Sequence, residues 1–191
     1  ITLEFYKNQI LHYLAAPGLC AMAIRAIGKG MFSKHGLEDT FASIADCYRF
    51  EFILDPMQTR DQHLLMGLDA LVHYGALGFE EEHYSIRDTE RIGEIYSLMR
   101  TFAESYRAVL QFLGEIDQSV KSVKDIPAAI QKQRSELIAS AAITRPEALS
   151  LVTLQNAVRV FRQSGVLEQQ EDRLLVDIAL QTEWLNNIEA T

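Results

Sequence analysis

The chain has 191 residues, 48% of them apolar and 23% charged, enough for one substantial core or two small ones. Lys and Arg number 18 against 26 Asp and Glu, giving a formal charge of -8. That balance opposes non-specific binding to nucleic acid and attraction to an anionic membrane surface, both of which rest on clustered basic residues.

Residues 3–24, LEFYKNQILHYLAAPGLCAMAI, read as a helix, a break at Pro17-Gly18 and a second helix. No charged side chain falls between Ile10 and Ile24. A membrane span needs about 20 apolar residues, so this shorter, interrupted window reads as core or as an interfacial segment. Cys20 and Cys47 sit in apolar patterns without metal-ligand spacing and read as small core residues of a reducing compartment. The N-terminus lacks the charged leader and cleavage site of a signal peptide. Ile1 in place of an initiator Met points to a piece of a longer protein.

Leu37, Phe41, Ile44, Ala45, Tyr48 and Phe52 form a stripe spaced by three and four, predicting a helix. Thr59 to Tyr74 carries a second such stripe and stops at Gly75, a natural C-terminal cap. Leu77, Phe79, Tyr84 and Ile86 then alternate around Glu80-Glu81-Glu82, predicting a short hairpin. Behind Asp88 and Thr89, plausible caps, one face from Ile92 to Leu113 predicts a helix of about seven turns. Glu115 to Lys124 reads as an exposed loop, and Asp125 opens another helix with Pro127 in its first turn.

A shift of 90 residues, without a gap, places Leu64 on Leu154, Leu71 on Phe161 and Gly75 on Gly165, and then Leu77 on Leu167 and Ile86 on Val176. The fold expected is therefore mainly α: a helical domain with two short β-hairpins, arranged as two winged-helix-like modules. Their expected spans are 1–114 and 125–191, with one compact domain as the other arrangement. Winged helices often read DNA. Here the first candidate recognition helix sets Arg60 against Asp61 and Asp69, and its wing tip is Glu80-Glu81-Glu82. In the second module Arg159, Arg162 and Arg173 face Glu168, Glu171 and Asp172. No nucleic-acid partner is expected, and a protein-interaction role fits these charges better.

One pair of residues has catalytic spacing. His83 and Asp88, in HYSIRD, are separated by four residues, as in glycerolipid acyltransferases, where His takes the proton of an attacking hydroxyl and Asp orients the imidazole. With 5 His and 10 Asp in the chain, chance alone supplies about 0.26 such pairs. The pair also lies on a predicted wing, without a Gly-rich or basic segment to hold phosphate. His35 and Asp39 could share a helix face, but two ligands do not make a metal site. His12, His63 and His73 default to packing or surface roles. No nucleophile elbow, P-loop or dinucleotide-binding glycine pattern occurs, so neither a cofactor nor a metal is expected.

Four segments carry a family resemblance. Phe5-Tyr6-Lys7-Asn8-Gln9, followed by Ile10, Leu11 and His12, resembles the segment after the catalytic domain of glycerol-3-phosphate and dihydroxyacetone-phosphate acyltransferases. CYRFEFIL (47–54), TFAESYRAVLQFL (101–113) and LQNAVRVFRQSGVLE (154–168) are similar to later pieces of that family, in the same order.

The resemblance implies the C-terminal, non-catalytic region of an enzyme of phospholipid biosynthesis. The parent would move a long-chain acyl group from acyl-CoA or acyl carrier protein to the sn-1 hydroxyl of a phosphorylated three-carbon acceptor. The family's catalytic His-Asp motif would precede Ile1, so that role is not carried onto His83 and Asp88. Tyr6, Lys7 and Asn8 become the candidates for a domain junction, with the upstream acyltransferase domain as partner. The run Ile10 to Ile24 is expected to dock against that domain or face the membrane. Peripheral membrane association is implied for the parent, and a soluble state for the piece. The competing reading is a free-standing winged-helix interaction or transcription module.

Overall fold

The computed structural model describes residues 13–52, 54–116, 120–171 and 173–190. The described chain divides into two compact units, one running to Arg100 and the other spanning Thr101–Ala190. In order, its regular elements are α1 (Ala15–Ile27), β1 (Met31–Ser33), α2 (His35–Cys47), α3 (Arg60–His73), β2 (Leu77–Glu80), β3 (His83–Ile86) and α4 (Thr89–Gly114). Then come α5 (Ile126–Lys132), α6 (Arg134–Ala139), α7 (Leu151–Gln163), β4 (Leu167–Gln170), β5 (Arg173–Val176) and α8 (Ile178–Ala190). Single 3-10 turns cover Val123–Asp125 and Pro146–Leu149. The expectation of a mainly helical chain with two hairpins holds.

In the first unit α1 is the central element. A helix apolar on every side has to be buried, and each residue from Ala15 to Ile24 is buried. Pro17-Gly18 does not break the chain as expected. Pro17 stands in the first turn, where a missing N–H costs nothing, and the Gly18 N–H donates to the Leu14 carbonyl at 2.8 Å. Gly28 ends the helix in the left-handed conformation. Burial also corrects the docking expectation for residues 15–24, because their apolar surface is spent inside this unit. α1 packs on α2 and α3. The α3 contact is close, since a Cβ on Gly67 would stand 2.6 Å from the Ala16 carbonyl oxygen.

α2 stops at Cys47, earlier than its stripe suggested, and Phe52 is buried from the loop beyond. α3 is fixed at its start by a reciprocal capping box: Thr59 Oγ accepts from the Gln62 N–H, and the Gln62 side chain accepts from the Thr59 N–H. The first sheet has the order β1-β3-β2, all antiparallel. Phe32 on β1 stacks on Tyr84 with ring centroids 5.8 Å apart, while Phe79 meets the same ring at 4.7 Å.

The second unit repeats helix, left-handed glycine, hairpin and helix. Gly75 and Gly165 have φ of 78° and 80°, and β2 and β3 fall on β4 and β5 without offset. The Arg87 N–H donates to the Ala76 carbonyl, and 90 residues on the Asp177 N–H donates to the Val166 carbonyl. Asp88 accepts from the Glu90 and Arg91 amides at the start of α4, and Asp177 accepts from the Leu180 amide at the start of α8. The core of this unit is an edge-to-face row of Tyr106, Phe161 and Trp184, at 5.7 and 5.6 Å. Among the described residues β1 has no counterpart in the second unit: the first sheet has three strands and the second has two.

Candidate functional site

His83 and Asp88 occupy opposite ends of a run that includes β3. Four residues lie between them: His83 opens the strand, whereas Asp88 lies beyond its end, at the start of α4. Each has local partners. His83 Nδ1 lies 2.9 Å from the Glu81 carbonyl oxygen on the exposed hairpin. The Asp88 carboxylate caps α4 and pairs with Arg91 Nε at 3.3 Å. The arrangement holds a turn and a helix end, and aligns no base with a hydroxyl.

The other sequence candidates are also placed by structure. His35 meets Glu38, with Nδ1 and Oε2 2.9 Å apart, instead of Asp39. Among the described residues no group of three or more His, Cys, Asp or Glu could hold a metal ion. Both thiols are buried, and burial pushes Cys20 and Cys47 well above the usual thiol range. Cys20 Sγ donates to the Leu64 carbonyl at 3.6 Å and acts as part of the α1–α3 contact. Tyr6, Lys7 and Asn8 lie outside the described residues.

The segment CYRFEFIL does shape a concavity. With the start of α3 it borders a cleft of about 290 Å³, floored by Phe41, Phe52 and Leu54 and rimmed by Asp46, Arg60 and His63. Arg60 donates to the Asp46 carboxylate, and His63 Nε2 is 3.1 Å from the Asp55 carbonyl oxygen. Arg49 also lines the cleft and donates to the Asp46 carbonyl at 2.6 Å, so two guanidinium groups and one carboxylate stand around the apolar floor.

The Glu-Ser-Tyr triplet of α4 is a clamp. Glu104, 4% exposed, accepts from the Thr144 and Arg145 amides, each at 3.0 Å, and from the Thr144 hydroxyl. Ser105 donates to the Thr101 and Ala148 carbonyls, and Tyr106 opens the aromatic row. Gln131 and Gln181 donate to the Leu149 and Leu110 carbonyls, each at 2.8 Å. The loop across 140–150 is therefore held by polar side chains bound to its backbone. Glu104→Ala is expected to destabilise the second unit by about 3 kcal/mol, because charge-assisted bonds are lost and buried amides are left unmatched. Urea unfolding followed by circular dichroism measures it.

The sequence matches the family model described as the glycerol-3-phosphate acyltransferase C-terminal region over residues 1–170. The chain belongs to this acyltransferase C-terminal family. A similar protein is the dihydroxyacetone phosphate acyltransferase of Oryctolagus cuniculus, 24% identical over 188 residues that cover 90% of this chain and 25% of that protein. The chain spans about a quarter of the length of that relative. The family segments at 47–54, 101–113 and 154–168 thus have structural uses: a cleft wall, a backbone clamp, and α7 with its glycine stop. Sequence reading missed the role of Glu104. A carboxylate in a long, otherwise amphipathic helix carries no periodic signal for a partner 40 residues away.

Proposed function

We propose that this chain is the non-catalytic, scaffolding or regulatory C-terminal region of a glycerol-3-phosphate or dihydroxyacetone-phosphate O-acyltransferase of phospholipid biosynthesis. The observation that carries the reading is the family match across residues 1–170. The parent enzyme transfers a long-chain acyl group from acyl-CoA or acyl carrier protein to the sn-1 hydroxyl of the phosphorylated acceptor. Its catalytic base comes from a part of the protein N-terminal to this region, which docks beside it near Tyr6, Lys7 and Asn8. The separate local bonds of His83 and Asp88 support this division of labour.

Membrane association of the parent is peripheral in this reading, and among the described residues no helix is long and apolar enough to cross a membrane. The repeated helix-glycine-hairpin units favour a second reading, a winged-helix interaction module. Its acidic first hairpin makes a protein partner more suitable than DNA. The test is acyl transfer by the isolated chain, with none expected above a blank containing acyl-CoA and glycerol 3-phosphate.

A further inference from the structure

The two repeats differ at one sheet edge. In the first unit β3 is paired on both sides, by β2 and by β1. The β1 register sets Met31 opposite Ser85, Phe32 opposite Tyr84 and Ser33 opposite His83, and the Ile86 N–H donates to the Gly30 carbonyl at 2.9 Å. The residues 90 positions on from Tyr84 and Ile86 are Leu174 and Val176 of β5. The Gln170–Arg173 pair closes the second hairpin, so the alternation of an antiparallel ladder turns the peptide groups of Leu174 and Val176 away from β4. Among the described residues no strand pairs with that side.

The side chains record the same difference. Tyr84, covered by Phe32, is 4% exposed, while Leu174 is only half-buried, Leu175 is 44% exposed and Ile178 is 57% exposed. An open strand edge with apolar side chains is a template for another strand. We infer that the outer edge of β5 is a docking site for an extended peptide from outside this chain, added antiparallel to β5 as β1 is added to β3.

The internal template and local charge define the occupant. β1 carries a bulky apolar residue, Phe32, over the central position, stacked on Tyr84. The second hairpin and its exit present exposed Glu168, Glu171 and Asp177 against Arg173. The occupant is therefore a short extended segment with a large apolar side chain opposite Leu174 and Lys or Arg beside it. A second copy of this chain fits poorly, because pairing two β5 edges brings two acidic hairpins together.

The test uses the 191-residue chain, labelled for NMR, and a synthetic peptide of residues 29–34, Lys-Gly-Met-Phe-Ser-Lys. The Leu174 and Val176 amides are expected to shift on titration and to exchange with solvent about tenfold more slowly when the peptide is bound. Those of Tyr84 and Ile86, already paired, should not change. Val176→Pro removes the outward-facing N–H while leaving the inner ladder of the edge strand, and should weaken binding by about fivefold or more. A peptide with Phe32→Ala should do the same, and this variant leaves the folding of the chain untouched. The proposal is overturned if β5 amides do not respond at millimolar peptide. It is equally overturned if they are as protected as those of β3 in the free chain, or if both variants bind as well as the originals. A concentration-dependent dimer with protected β5 amides would assign the edge to a second copy instead.

Discussion

Gly67→Ala is expected to lower the stability of the first unit by about 3 kcal/mol, although alanine is the better helix former. On propensity alone the substitution would add about 1 kcal/mol, because alanine loses less backbone entropy than glycine in a helix interior. At this position the new Cβ would stand 2.6 Å from the carbonyl oxygen of Ala16 and crowd the thiol of Cys20. The closest obstacle besides the thiol is backbone of a buried helix, so it cannot swing aside as an exposed side chain could. α1 and α3 must separate, and the packing of Leu64, Leu68 and Leu71 loosens with them. Gly93→Ala makes the same chemical change in α4 with nothing within 4 Å of the added atom. That variant should gain up to about 1 kcal/mol. Thermal unfolding followed by circular dichroism should therefore move in opposite directions, with Gly67→Ala lowering Tm by roughly 6 to 12 °C. Two upward shifts would show that the helices are not in close contact at Gly67.

Phe161→Ala should be the most damaging single change in the second unit, at about 4 kcal/mol. The ring is fully buried between Tyr106 and Trp184 and meets both edge to face. Truncation removes both contacts and leaves a cavity that neighbouring helices cannot close without breaking the polar clamp around Glu104. Phe161→Leu keeps most of the volume and should cost about 1.5 kcal/mol. Trp184 is the only tryptophan in the sequence, so its fluorescence reports the unfolding of this unit directly. In urea the midpoint of the alanine variant should fall by about 2 M, given a slope near 2 kcal/mol per M, and that of the leucine variant by less than half as much. Equal midpoints would mean that aromatic packing does not hold this core together.

Which parts of this structure were legible in the sequence follows from the range of the forces involved. α4 announced itself because a single buried stripe repeats every three to four residues, a pattern set by local geometry, and α7 through the 90-residue shift that lays Leu64 and Leu71 on Leu154 and Phe161. Both hairpins were visible for a similar reason, and the 90-residue shift placed them residue on residue. β1 was not visible. Met31-Phe32-Ser33 is too short to show alternation, and it becomes a strand only because the β3 edge is there to receive it. The end of α2 was misjudged because Phe52 continues the stripe while being buried from a loop. The segment from Arg134 to Ser150 showed no period. Its course is set by Glu104, Arg107 and Gln131, which bind backbone carbonyls and amides from a distance.

The candidate site was legible only as chemistry that does not assemble. The His83–Asp88 spacing has meaning in a loop that folds the two side chains together, and a strand keeps them apart. The family signal was more durable because it rested on several ordered segments, three of which do structural work. Glu104-Ser105-Tyr106 holds a loop and opens a core, and Arg49, Phe52 and Leu54 border a cleft. The edge of β5, unpaired among the described residues, leaves no mark in a sequence pattern.

In the proposed function this region supports an acyltransferase without performing the chemistry. The most direct measurement is transfer of a radiolabelled acyl group from acyl-CoA to glycerol 3-phosphate or dihydroxyacetone phosphate by the purified chain. No product above the protein-free blank is expected, for the chain and for its His83→Ala variant alike. Turnover above the blank would contradict that reading, and its loss by about a hundredfold or more in His83→Ala, the scale expected on losing a general base, would assign the base to His83.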